Sequence, residues 1–462
     1  MQIMLKPERE ALLRALDIRA PRYTSYPSAD KFTSSFGPAQ YREHLREIDP
    51  SRQGPLSLYV HLPFCQSLCY FCGCNKVVTH DYSKAKPYLA RVERELDLTL
   101  DNISGRPQVS QMHWGGGTPT FLKAAEIRSL LSGMRRRLEF LDDGEYSIEI
   151  DPRAIDDGQM QALIEGGINR MSLGVQDFNS EVQHAVNRIQ PIEMTERVVS
   201  LARAAGVKSL SFDLIYGLPH QTRERFEATM QAVLTMRPER LALYNYAHLP
   251  NMFKAQRLIN DDDLPSADEK LAIFQMATQW LEQAGYVYIG MDHFALPEDE
   301  LAVALSTGRL HRNFQGYSTR ADCDLIALGA SAISKLGRCY SQNHRSVRDY
   351  YAAIDRGDLP VFRGLALSDD DLLRRDIIMG LMCEGKLDKQ AVSKAHAIEF
   401  DHYFKESLSA LEQYEDLGLV SAAPNEIVVT EEGRRKAMRV IASAFDSRQG
   451  QSVETSRYSK AL

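Results

Sequence analysis

From about residue 55 the chain repeats one rhythm: a short run rich in β-branched and aromatic residues, then a longer run with apolar residues at helical spacing. The short runs are LSLYVHL (56–62), VSQMHW (109–114), YSIEI (146–150), INRMSLGV (168–175), SLSFDLIY (209–216), RLALYNY (240–246) and YVYIGM (286–291). Between them lie amphipathic stretches such as AKPYLARVERELDLTL, DGQMQALIEGG and RERFEATMQAVLTM. Strands that alternate with helices build a parallel sheet, and six or more such units predict an α/β fold that is a barrel or partial barrel.

Residues suited to chemistry fall at or just after the strand ends: Cys65, the Gly115 to Gly117 run, Glu149, Gln176, Asp213, His248 and His293. In parallel barrels the active site sits at the C-terminal ends of the strands. Any one of these residues is equally well a polar turn. The series as a whole points to a site at that end.

Near residue 365 the rhythm stops. LSDDDLLRRDIIMGLMC, HYFKESLSALEQYEDLGL and EEGRRKAMRVIASAF read as helices, and LVSAA with EIVVT as a small hairpin. Helix, helix, hairpin, helix is also the order of a winged-helix module, so DNA binding is one reading; the Asp and Glu content favours a lid or buttress for the barrel. Pro21, Pro27 and Pro38 mark an irregular N-terminal arm, and the polar end reads as a flexible tail. The expected division is an arm at 1–54, a barrel at 55–364, a mainly helical domain at 365–446 and a tail at 447–462.

The 462 residues carry a formal net charge of −7, which argues against a protein that tracks nucleic-acid phosphates along a basic face. Glu8, Glu10 and Asp17 do not fit an acid-poor transit peptide, and no apolar run approaches the roughly 18 residues of a membrane span. A cytoplasmic protein without a membrane or nucleic-acid partner is expected.

Four of the seven cysteines crowd into PFCQSLCYFCGCNK, a poor disulfide framework and a good metal-binding one. Cys65, Cys69 and Cys72 form C-x-x-x-C-x-x-C directly after the first strand. Such a loop can wrap three thiolates around one face of an iron–sulfur cubane, leaving one iron open for catalysis. The alternative is a structural zinc site; it would want a second C-x-x-C or a His pair, and His61 and His80 lie at no standard spacing. Cys74 is expected to line the site without ligating. Cys323, Cys339 and Cys383 read as buried small hydrophobes. The glycines of HWGGGTPT (113–120) can let a small amino-acid-like cofactor approach backbone groups closely.

Cysteine spacing, glycine run and βα rhythm together resemble the radical S-adenosylmethionine superfamily. Longer strings narrow the resemblance to the oxygen-independent coproporphyrinogen III oxidases: PRYTSYP (21–27), YVHLPFCQSLCYFCGCNK (59–76), MHWGGGTPT (112–120), IEIDPR (148–153), GVQDFN (174–179), DLIYGLP (213–219), YNYAHLP (244–250), GMDHFA (290–295) and LHRNFQGY (310–317). That resemblance implies a partial parallel (β/α)6 barrel closed by the arm and the C-terminal domain. It implies a [4Fe–4S] cluster on Cys65, Cys69 and Cys72 and two S-adenosylmethionine molecules. Tyr59, Gly116, Glu149 and Ile333 are expected at the one on the cluster; Phe71, Gly117, Thr118, Gln176, Arg188, Asp213 and Ala247 at the second.

The implied reaction is oxidative decarboxylation of two propionates of coproporphyrinogen III to vinyl groups, giving protoporphyrinogen IX, by a 5′-deoxyadenosyl radical. A polyanionic substrate calls for cations, and Arg22, Lys76 and Arg312 are the candidates, with Cys74 facing the cofactors. The resemblance further implies a monomer served by a reduced donor such as flavodoxin or ferredoxin. A haem chaperone of the same superfamily and a zinc-stabilised interaction protein are the rival readings.

Overall fold

The computed structural model describes residues 20–50, 54–314, 316–320 and 323–448. The polar tail beyond 448 and the first 19 residues, on which expectations also fell, lie outside the described residues.

The arm is not irregular throughout, which corrects the reading from its prolines. It contains α1 (Pro38–Arg46). Pro38 opens the helix, where a missing N–H costs nothing, and the Gln40 side chain accepts from the Gly37 amide at 3.0 Å. Tyr41 and Leu45 are the buried face.

Six βα units follow: β1 (Leu56–Leu62), α2 (Ala85–Leu100), β2 (Gln108–Gly116), α3 (Ala124–Arg137), β3 (Glu139–Ile150), α4 (Asp157–Glu165), β4 (Arg170–Gln176), α5 (Ile192–Ala204), β5 (Ser209–Tyr216), α6 (Arg223–Met236), β6 (Arg240–Asn245) and α7 (Ala267–Gln283). The strands pair in parallel in chain order, as an open barrel requires.

The run 286–291 does not add a seventh parallel unit. β7 (Val287–Gly290) and β8 (His293–Ala295) form a hairpin, and β8 lies antiparallel beside β6. The chain reverses through Gly290 and Met291, whose φ angles are +149° and +52°. A second small hairpin joins β9 (His311–Asn313) to β10 (Gly316–Ser318). On the far side, β11 (Leu325–Leu328) pairs in parallel with β1, and β12 (Ile333–Leu336), β13 (Cys339–Asn343) and β14 (Val361–Ala366) extend the sheet antiparallel. Among the described residues the sheet has twelve strands in the order β14-β13-β12-β11-β1-β2-β3-β4-β5-β6-β8-β7.

Alternation along the six parallel strands separates two faces. Leu58, Val60, Met112, Trp114, Ile148, Leu173, Phe212 and Leu241 are buried in one core with Val92, Ile127 and Leu130 of the surrounding helices. The other face is polar: Ser57 donates to Gln111 at 2.9 Å, His113 meets Ser147 at 2.7 Å, and Ser172 donates to Asp213 at 3.0 Å. The barrel interior is therefore a polar, hydrogen-bonded lumen rather than a packed apolar core.

A separate apolar core organises the C-terminal region around α8 (Asp369–Glu384) and a three-stranded antiparallel sheet of β15 (Lys386–Asp388), β16 (Val420–Ala422) and β17 (Glu426–Val429). The start of the described arm belongs to this core, whereas Tyr41 and Leu45 of α1 pack in the barrel core. Tyr23 and Tyr26 are each 1% exposed within it, the Tyr23 hydroxyl donates to Asp446 at 3.0 Å, and Arg439 donates to the carbonyls of Ala20 and Pro21.

Candidate active site

The cysteine loop leaves β1 at Leu62 and is closed at its base by a short parallel ladder of Phe64–Cys65 with Val77–Val78. It is sewn to the glycine run: Gly117 N donates to Leu62 O at 2.9 Å and Thr118 N to Phe64 O at 2.8 Å. A Cβ on Gly117 would stand 2.5 Å from the Pro63 carbonyl oxygen, so only glycine permits this approach. Gly116, at φ +120°, donates its amide to Glu149 at 3.1 Å.

Each expected ligand thiol has its own polar neighbour. Cys65 accepts from the Thr118 hydroxyl at 3.5 Å. Cys69 receives Arg153 Nη2 at 3.5 Å and Arg188 Nη1 at 3.6 Å. Cys72 accepts from the Cys74 amide at 3.4 Å. The Cys74 thiol hydrogen-bonded to Cys72, and then Lys76, pull Cys72 below the ordinary thiol range; the same hydrogen bond and burial push Cys74 up. Burial raises Cys65 to about 11. Donors gathered around sulfur suit a group whose thiolates and sulfides are all anionic. Among the described residues no three His, Cys, Asp or Glu side chains are grouped as ligands of a single metal ion.

Below the thiols lie the carboxylates of the lumen. Burial alone would raise Glu149; hydrogen bonds from His113 and the Gly116 amide hold it below its usual range. Its side chain keeps 44% of its surface accessible although it lies between strands, which marks it as lining open space. Asp213 is raised to about 7 by burial and by Glu149. Tyr59 stacks on His113 at 6.0 Å and reaches His61 Nδ1 at 3.1 Å, and its hydroxyl is pushed well up by burial. Arg188 bridges Asp151 at 3.1 Å and Gly174 O at 2.6 Å. Gln176 closes β4 in a left-handed conformation, φ +66°, at an irregularity in the β4–β5 ladder.

Phe71 and Ala247 are brought together by a residue the sequence did not single out. Gln256, 2% exposed, donates to Phe71 O at 2.9 Å and Ala247 O at 3.2 Å. Ile333 opens β12, two strands from Tyr59 across the sheet. The turn before it is anchored on the buried Glu95, which accepts from Gly329 N, Asn343 Nδ2 and the Tyr350 hydroxyl at 2.7, 2.6 and 2.6 Å.

The candidate cations divide. Lys76 is occupied locally, donating to Cys72 O at 2.9 Å. Arg22 pairs with Asp292 and lies 6.0 Å over Tyr244. Arg312 stacks 4.6 Å over Tyr317, and its Nε and Nη1 are buried without a hydrogen-bond partner among the described residues. It also borders a cavity of about 210 Å³ between the barrel floor and α8.

Comparison with known proteins agrees with this arrangement. The radical SAM superfamily model matches residues 59–233, and the HemN C-terminal domain model matches residues 367–435. The chain is 47% identical to the oxygen-independent coproporphyrinogen III oxidase of Pseudomonas aeruginosa and 46% identical to that of Escherichia coli, covering 98% of each chain in both comparisons. The solved structure of the Escherichia coli radical SAM enzyme coproporphyrinogen III oxidase (HemN) superposes with a TM-score of 0.90 at 46% identity, covering 95% of this chain and 98% of that one. Full-length likeness of both sequence and fold places this chain in the family of oxygen-independent coproporphyrinogen III oxidases within the radical SAM superfamily.

Proposed function

We propose that this chain oxidatively decarboxylates two propionates of coproporphyrinogen III to vinyl groups, forming protoporphyrinogen IX for haem biosynthesis. The observation that carries this reading is the polar lumen: it runs from three thiols at one end, past Glu149 and Asp213, to the cationic pair Arg22 and Arg312. When bound, the [4Fe–4S] cluster and S-adenosylmethionine supply a reducing electron and a carbon radical able to abstract hydrogen.

The chain's own residues hold and shield that chemistry. Cys65, Cys69 and Cys72 would ligate the cluster, with Thr118, Arg153 and Arg188 donating toward their sulfurs. Tyr59, Gly116, Glu149 and Ile333 would hold the cofactor at the cluster. Phe71, Gly117, Thr118, Gln176, Arg188, Asp213 and Ala247 would hold a second molecule, with Gln256 fixing two of their carbonyls. Cys74 would line the mouth beside Cys72. Arg22 and Arg312 would take substrate carboxylates, and the arm that carries Arg22 would close the lumen to water.

The reading extends to a monomer in the cytoplasm fed by a flavodoxin or ferredoxin. No helix among the described residues is long and apolar enough to cross a membrane. The test is an anaerobic assay of reconstituted protein with coproporphyrinogen III, S-adenosylmethionine and a reductant. Protoporphyrinogen IX and 5′-deoxyadenosine should form together and vanish on Cys69→Ser; deoxyadenosine without the porphyrinogen product would remove the substrate from this reading.

A further inference from the structure

His293 opens β8 beside Ala242 of β6, facing the lumen, and the sequence motif that contains it has no role in the chemistry above. Its ring stands edge-on to Tyr244 at 6.0 Å and to Tyr317 at 5.3 Å. Those two phenols are the same ones that carry Arg22 and Arg312, at 6.0 and 4.6 Å. The order in space is Arg22, Tyr244, His293, Tyr317, Arg312, so one imidazole sits centrally between two guanidinium groups. Among the described residues His293 Nδ1 is buried without a partner, as are Nε and Nη1 of Arg312. Buried polar atoms without partners are rare and costly, and several gathered in one place point to a ligand that completes them.

We propose that His293, with Arg22 and Arg312, receives one propionate carboxylate of the substrate and takes up a proton as that carboxylate binds. The proposal rests on the porphyrinogen reading above and adds to it a positioning residue and a proton linkage.

In the free protein the imidazole is neutral: burial first, then Arg312, Arg22 and Arg240, push it down to about 3. The surrounding charges are unequally compensated. Arg22 is paired with Asp292, and Arg240 with Asp299 at 2.9 Å. Tyr244 and Tyr317 are both raised by burial, so they stay neutral phenols. Among the described residues Arg312 has no carboxylate partner, and its charge is the largest single electrostatic reason that His293 remains neutral. A carboxylate arriving between them cancels that field and makes the imidazolium favourable. The proton comes from hydronium or buffer acid in solvent and forms the second N–H bond of the imidazolium; no other bond is made or broken. Because binding then carries a proton with it, affinity must rise as pH falls.

Anaerobic titration calorimetry of the cluster-loaded protein with coproporphyrinogen III, in buffers of different ionisation enthalpy, reads the proton directly. Wild type is expected to gain close to one proton per substrate near neutrality, with affinity rising toward roughly tenfold per pH unit as pH falls through the linked range. His293→Gln should bind without that uptake and with a flat pH profile, at unchanged cluster absorbance. Wild-type binding with no proton uptake, or uptake that persists in His293→Gln, overturns the proposal. Cluster-loaded wild type that binds no coproporphyrinogen at all would instead overturn the porphyrinogen reading on which it stands.

Discussion

Arg188 and Cys69, 119 residues apart in sequence, meet at the mouth of the barrel, with Nη1 3.6 Å from Sγ. The same guanidinium holds the Asp151 carboxylate at 3.1 Å and the Gly174 carbonyl at 2.6 Å. A planar fork can serve three acceptors in fixed directions, whereas an ammonium is a point charge on a flexible stem. Arg188→Lys should therefore fold but lose at least one of these bonds. With a charged hydrogen bond contributing about 1.5–3 kcal/mol, turnover should fall about tenfold to a hundredfold. Single-turnover deoxyadenosine formation measures it; an unchanged rate would show that Arg188 only braces Asp151.

The glycine run is tested at Gly117. A methyl group there meets the Pro63 carbonyl oxygen at 2.5 Å, and the obstacle is backbone with no rotamer to give way. Gly117→Ala should push the cysteine loop off the strand ends. Iron and sulfide per protein after anaerobic reconstitution should fall well below wild type, while Gly206→Ala, in open space but at φ +79°, should lose some stability and keep its cluster.

Asp213 gives a pH dependence with a definite sign. Burial and Glu149 raise its carboxyl to about 7, so between roughly pH 4, its unfolded value, and pH 7 the folded protein binds more protons than the unfolded one. Stability must fall as pH rises across that interval and level off above it. Asp213→Asn should flatten this part of a thermal-unfolding profile. If Asp213 also faces a cationic cofactor, S-adenosylmethionine affinity should increase from pH 6 to pH 8 in wild type and stay level in the variant. That trend runs opposite to the one expected for substrate at His293, so the two titrations separate.

The six parallel strands were readable because two strong periodicities agree over long runs, as in LSLYVHL followed by AKPYLARVERELDLTL. The remaining strands were not, for local reasons. Leu325–Leu328 and Ile333–Leu336 are four residues each, separated by a glycine turn, too short to show a period. Pro38 gives an ambiguous signal, because proline breaks a helix interior yet starts one well. Strand ends single out Glu149, Gln176 and Asp213, and the structure places all three on the polar face or at its strand ends. Strand ends give no account of the inner-face series Ser57, Gln111, His113, Ser147 and Ser172, although strict alternation carried the signal. Glu95 and Gln256 left no such mark. Each looks like an ordinary surface residue in a charged helix or polar loop, and only tertiary packing buries it.

Gln256 offers the last prediction, because it lies outside every motif that carries the family resemblance. Its amide nitrogen donates to Phe71 O and Ala247 O, and its oxygen accepts from Leu249 N at 2.6 Å. It thus ties the cysteine loop to the segment after β6. Gln256→Leu keeps the volume and removes all three bonds, leaving part-buried backbone groups unpaired at a cost of up to about 1 kcal/mol each. Thermal stability should fall. If Phe71 and Ala247 hold the second cofactor molecule, the KM for S-adenosylmethionine should rise about tenfold or more while iron content stays constant, because Cys65 and Cys69, two of the three proposed cluster ligands, are tied elsewhere, to Thr118, Arg153 and Arg188. A drop in stability with no change in KM would make Gln256 a brace alone and place the second cofactor away from these two carbonyls.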